Sequence, residues 1–218
     1  MNILLISSSP RKERSRTFML AEEVIKGLGS PAKTEVIHLF DCKIGFCRHC
    51  EGCHKKILKC PIKDDAATIL KKMLDAEGII LASPNYINQV TASMKAILDR
   101  SSHFIHCKRF LGKYVAGVVS SGSGQDNEVL GYIKYYSNTC GAQYAGGVSF
   151  FDVPISKEKK GEAFDLGRSL AAAIKEKRSF PEQAEAIRSA KEHFRKIMEN
   201  RKDEWSEEYQ YWKDKGWL

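Results

Sequence analysis

MNILLISSSPRKERSRT, residues 1–17, decides the fold. A short, nearly continuous apolar run, Asn2–Ser7, gives way to a segment rich in hydroxyls and arginines, and a helical pattern begins at Thr17. Runs of this kind mark strands buried on both faces of a sheet. Similar runs recur at Thr34–Phe40, Gly78–Ala82, Tyr114–Ser120 and Gln143–Phe150. Helix-spaced apolar residues fill the intervals at Thr17–Leu28, Asp64–Ala76, Val90–Arg100 and Asn127–Thr139. This alternation predicts an α/β, doubly wound, five-stranded parallel sheet covered by helices on both faces. A nucleotide loop after the first strand suggests the order 2-1-3-4-5.

The pattern divides the chain into a sheet domain over residues 1–154 and a helical extension over 155–218. The extension reads as helices at Lys159–Lys177 and Pro181–Lys202, with Pro181 in a first turn and Ser179 as its possible cap. It ends in a tail holding Trp205, Tyr209, Tyr211, Trp212 and Trp217. So much apolar surface is expected to dock on its own subunit or a neighbour. The connection between the second and third strands is abnormal, because it carries a cysteine-rich insertion at 42–63. Long connections with their own chemistry tend to be functional.

Composition narrows the classes. A chain of 218 residues fits one large domain, or one domain with an appendage, and its core needs no disulfide or metal to hold it. No apolar stretch is long enough to span a membrane, and the N-terminus lacks a charged region ahead of its apolar run. The expectation is a cytoplasmic protein without a membrane partner, whose seven cysteines stay reduced. Cys107 and Cys140 read as buried, inert thiols, and Cys42 as structural. The net charge of +8 raises nucleic acid as a partner. However, the charges after Lys157 are mixed in sign, and nothing resembles a recognition helix or an aromatic RNA platform. No nucleic acid is expected. The local basic excess lies around the cysteines, where Lys43, Arg48, Lys55, Lys56, Lys59 and Lys63 face only Glu51. It suits an acidic redox partner or a solvated loop.

Three loops fall at the carboxyl ends of strands, the edge where open α/β sheets bind ligands. Ser7–Thr17 offers a helix N-terminus, the hydroxyls of Ser9, Ser15 and Thr17, and the charges of Arg11, Arg14 and Arg16. It lacks the P-loop and dinucleotide glycine patterns, so a mononucleotide such as FMN fits better; a polar connector with a serine cap is the alternative. Ser83–Val90 holds Pro84 and Asn85 in an extended turn able to meet a flavin edge, with Tyr86 to stack on the ring or close the core. Ser120–Asn127 holds Gly122 and Gly124, which permit close backbone approach or a plain turn.

FCRHCEGCHKKILKCP, residues 46–61, spaces Cys47, Cys50, Cys53 and Cys60 as C-x2-C-x2-C-x6-C before a proline. Zinc sites usually collect two separated pairs, although His49 and His54 keep zinc open. The compact run suits one [4Fe-4S] cluster, with zinc second and reactive thiols third.

MNILLISSSPRKERSRT, the cysteine motif followed by Asp64–Asp65, SPNYINQVTASMKAILDR and the YWKDKGWL ending together resemble the iron–sulfur flavoproteins. These belong to the flavodoxin-like NAD(P)H-dependent FMN reductase superfamily. The resemblance spans nearly the whole chain and implies a flavodoxin-like fold with a cysteine-loop insertion and a helical extension. It implies FMN held by Ser9, Arg11, Ser15, Arg16 and Thr17, by Ser83, Pro84, Asn85, Tyr86, Ile87 and Asn88, and by Ser121, Gly122 and Gly124. It further implies one [4Fe-4S] cluster on Cys47, Cys50, Cys53 and Cys60, a ferredoxin-like donor, and a homo-oligomer, dimer or tetramer. The implied function is flavin-dependent electron transfer with no catalytic side chain. The rivals are an NAD(P)H-dependent FMN or quinone reductase without a cluster, and a non-catalytic redox- or zinc-sensing protein.

Overall fold

The computed structural model describes residues 1–30, 32–122, 124–151 and 154–218. The five apolar runs form β1 (Asn2–Ser7), β2 (Lys33–His38), β3 (Gly78–Pro84), β4 (Tyr114–Ser120) and β5 (Gln143–Phe150). All pair in parallel, in the order β2-β1-β3-β4-β5. The period-two geometry of a strand sends alternate side chains to opposite faces. Leu4, Ile6, Ile79, Leu81, Val115 and Val119 enter one core beneath α3 (Ala66–Asp75), α4 (Ala92–Arg100) and α6 (Asp126–Thr139). Ile3, Leu5, Ile80, Ala82, Ala116 and Val118 enter the other, beneath α1 (Arg16–Leu28) and α7 (Lys157–Glu176). β2 departs from the run expected at Thr34–Phe40. It is an edge strand of which Ile37 alone is buried, because one side has no neighbour to cover it.

α1 and α7 cross in backbone contact. A Cβ on Gly27 would lie 1.9 Å from the Phe164 carbonyl oxygen, and one on Gly167 would lie 2.0 Å from that of Val24. This approach brings α7 onto the sheet as a full member of its helix layer. The extension therefore divides in space: α7 covers the sheet, whereas α8 (Pro181–Asn200) packs on α6 and β5 and leads into α9 (Ser206–Asp214), which reaches the cysteine loop. Pro181 does open α8, but Ser179 does not cap it; Phe180 holds the cap position and its N–H donates to the Gln143 side chain.

The aromatic tail docks on its own subunit. Trp205, Trp212, Met198 and Cys107 form a third, smaller core, and Trp212 Nε1 donates to the His106 carbonyl at 3.2 Å. His106 ends α5 (Ser102–His106), a short helix that its weak apolar pattern hid. Among the described residues, no helix is long and apolar enough to cross a membrane.

Candidate functional site: three loops and a four-cysteine insertion

Parallel pairing of β1, β3 and β4 sets their following loops side by side. In the first, Ser8 N–H donates to the Ala82 carbonyl at 2.9 Å, tying it to β3. The Arg11 N–H donates to Ser9 Oγ at 3.3 Å, leading into a 3-10 turn at Lys12–Arg14. Ser15 stands at the N-cap of α1 with extended backbone, yet its buried hydroxyl makes no capping bond. The first-turn N–H groups thus keep their capacity for an anion. Thr17 Oγ1 and Ser120 Oγ lie 2.5 Å apart and join this loop to the one after β4. Arg11, Arg14 and Arg16 are exposed and enter no ion pair among the described residues, while Lys12 is paired with Asp41.

The second loop is stapled to the third. Asn85 N–H donates to the Ser120 carbonyl at 2.7 Å, and its Nδ2 donates to Ser121 Oγ at 3.3 Å. Its Oδ1 is buried without a hydrogen-bond partner. Tyr86 and Gln89 exchange backbone bonds across a tight turn in which Ile87 and Asn88 have φ of +53° and +55°. A β-branched residue at positive φ is strained, and Ile87 is 99% exposed. Tyr86 is half exposed, so it does not close the core. Ser83 turns inward: its hydroxyl accepts from the Thr91 N–H at 3.0 Å and donates to the Pro84 carbonyl at 2.9 Å, bracing the turn. In the third loop Gly124 has φ +74° and open space where a Cβ would stand; Gly122 has the same open space, and Ser123 lies outside the described residues.

All four motif cysteines line one small cavity, with Cys47 and Cys50 exposed and Cys53 and Cys60 half-buried. Left-handed backbone at His49, Glu51 and Leu58, with the one-turn helix α2 (Gly52–Lys55), winds the loop around it. Burial pushes the Cys53 thiol up to about 11, against a hydrogen bond from Ser102. The remaining cysteines lie elsewhere: Cys107 and Cys140 are fully buried, with burial raising both thiols, Cys140 to about 12. Cys42 packs against the sheet core and donates to the His38 carbonyl at 3.5 Å.

Two aspartates pin the ends of the insertion. The Asp64 carboxylate accepts from Gly45 N–H at 2.8 Å and binds Arg100 with two bonds, at 2.6 and 3.0 Å. Burial works to raise the Asp64 carboxyl, but the guanidinium and the backbone donors outweigh it and hold it below the usual range. Asp65 accepts from Lys43 N–H at 2.7 Å.

The tail closes one side of the loop. Glu51 accepts from Arg201 at 2.5 Å and Trp205 Nε1 at 3.1 Å, and Glu207 accepts from Ile57 N–H at 2.6 Å. Glu208, fully buried, bridges His54 Nδ1 at 2.7 Å and His106 Nδ1 at 3.1 Å. The two rings stack at 24°, and Trp205 lies over His106 at 13°. Imidazole lone pairs lie in the ring plane, so nearly parallel rings aim side by side at a two-oxygen carboxylate rather than converge on one ion. Sequence reasoning missed Arg100, His106 and Glu208; the only signal was a charged residue on the apolar side of its helix.

Residues 1–152 match the family described as NADPH-dependent FMN reductase. Over its whole length the chain is 29% identical to an iron-sulfur flavoprotein of Archaeoglobus fulgidus, covering 100% of both chains. It is 37% identical to one from Methanocaldococcus jannaschii, over 59% of this chain and 68% of that one. A further relative from Archaeoglobus fulgidus is 40% identical over 62% and 68%. The chain belongs to the iron–sulfur flavoproteins, within the NADPH-dependent FMN reductase family. Two solved structures place this iron–sulfur flavoprotein among flavodoxin-like folds. A flavone reductase matches at TM-score 0.66 with 20% identity, over 80% of this chain and 63% of that one. An archaeal flavodoxin matches at 0.55 with 17% identity, over 80% and 99%.

Proposed function

We propose that this flavin-dependent oxidoreductase takes electrons one at a time from a ferredoxin-like donor through a [4Fe-4S] cluster on Cys47, Cys50, Cys53 and Cys60, and delivers them through FMN to an acceptor. The observation that carries the reading is the convergence of four thiols on one cavity, in a loop fixed on both sides by other elements. Four sulfur donors and no second set suit a single cluster. The uncapped Ser15, the unpaired Asn85 Oδ1 and the open space at Gly124 fit a mononucleotide across the three loops. FMN supplies the conversion between one-electron and two-electron chemistry.

The chain's own part is positioning. The α1 N-terminus, with Ser9, Ser15, Thr17, Arg11 and Arg16, would hold the phosphate, and the Ser83–Asn88 and Ser121–Gly124 loops the ring. The exposed side chains of Tyr86 and Ile87, in the loop after β3, support a homo-oligomer that covers them. Stopped-flow mixing tests the donor. Rapid flavin bleaching by a reduced ferredoxin, with NADPH far slower, is expected. Direct reduction by NADPH at the faster rate would make the protein a conventional reductase.

A further inference from the structure

The loop that gathers the cysteines has an outer rim of unusual charge. Lys43, Arg48, Lys55, Lys56, Lys59 and Lys63 are all exposed. None enters an ion pair among the described residues. Several cations on the helices are compensated by acids along them, as in Lys71–Asp75, Lys95–Asp99, Lys159–Glu162 and Arg168–Asp165.

Here the nearby acids are engaged in holding the loop. Glu51 is taken by Arg201 and Trp205, Asp64 by Arg100, and Glu207 and Glu208 by Ile57 N–H and the two imidazoles. The fold thus spends its local carboxylates on fastening the loop and leaves the rim positive. At its centre Cys47 and Cys50 are the two exposed thiols of the motif.

We propose that this rim is the docking face for a small acidic one-electron carrier protein, which approaches the Cys47–Cys50 side of the loop. The proposal rests on the reading that the loop holds a redox-active metal centre. In the exchange the carrier loses one electron and the centre gains it; no bond forms or breaks, and no proton moves. An unpaired cationic rim attracts an acidic partner over distance, and such steering falls steeply with salt.

The test is calorimetric titration of the purified holoprotein with a small acidic ferredoxin of the bacterial type at 25, 100 and 300 mM NaCl. The Lys55→Glu/Lys56→Glu/Lys59→Glu variant is compared with a charge-matched control on α7, Lys157→Glu/Lys160→Glu/Lys175→Glu. Binding should weaken at least tenfold in the rim variant and with rising salt, while the control stays within about twofold of wild type. Undetectable wild-type binding at 25 mM salt, or equal losses in both variants, would overturn the docking face. So would tighter binding of a DNA duplex through the same three lysines. Iron and sulfide analysis of the same preparations keeps the two claims apart. A metal-free wild type sinks the underlying reading whatever its affinity, and a metal-loaded one with an indifferent rim sinks the docking face alone.

Discussion

Cysteine position, rather than cysteine chemistry, separates the seven thiols. Cys47, Cys50, Cys53 and Cys60 share one cavity, while Cys42, Cys107 and Cys140 are committed to packing. Replacing any one of the four by alanine should remove most of the bound iron, whereas Cys42→Ala should retain it; iron per subunit after anaerobic purification decides. Asn85 carries an unpaired buried Oδ1 at the three-loop site. Losing one hydrogen bond costs roughly 1 kcal/mol, so Asn85→Ala should weaken FMN about fivefold in a fluorescence titration. Unchanged affinity in a folded variant would remove Asn85 from the site. His103 is buried with both ring nitrogens unpaired, and burial pushes it down to about 4. The unfolded chain binds that proton near pH 6.5 and the folded one does not, so stability falls as pH drops from about 6.5 towards 4, by roughly 3 kcal/mol. Urea unfolding at pH 7 and pH 5 should show the loss, and His103→Leu should flatten it.

Elements differ in how openly the sequence declares them. β1 and β4 are legible residue for residue, because two-sided burial leaves an unbroken apolar pattern; β5 keeps its expected bounds although it is an edge strand in which Val148 and Phe150 alone are buried. β2 reads as buried but lies at the edge, since an apolar run does not reveal how many neighbours it has. The crossing of α1 and α7 is hidden for another reason: a glycine inside a helix looks like a weakness until a second backbone is seen against it. Gly167→Ala forces a methyl onto the Val24 carbonyl and should cost about 1–3 kcal/mol by overpacking, read as a lowered midpoint in urea. The four cysteines were visible by spacing, but the groups that hold their loop were not. Arg100, Asp64, Glu51 and Glu208 meet across separations of 36 to 154 residues, which no local pattern encodes. Trp205→Ala removes the ring over His54 and His106 together with the Glu51 bond. A loss of about 3 kcal/mol is expected, along with faster release of iron to a chelator. Chelation at the wild-type rate would show that the tail packs without securing the loop.

The whole molecule places two kinds of site on one scaffold. On the proposed reading the sheet's carboxyl edge holds the mononucleotide; the insertion after β2 gathers four thiols under a tail that folds back from the far end of the chain. The most direct measurement is the iron, acid-labile sulfide and FMN content per subunit after purification without oxygen. The account predicts about four irons, four sulfides and one FMN, all retained together. FMN without iron or sulfide, or zinc in place of iron, would contradict it.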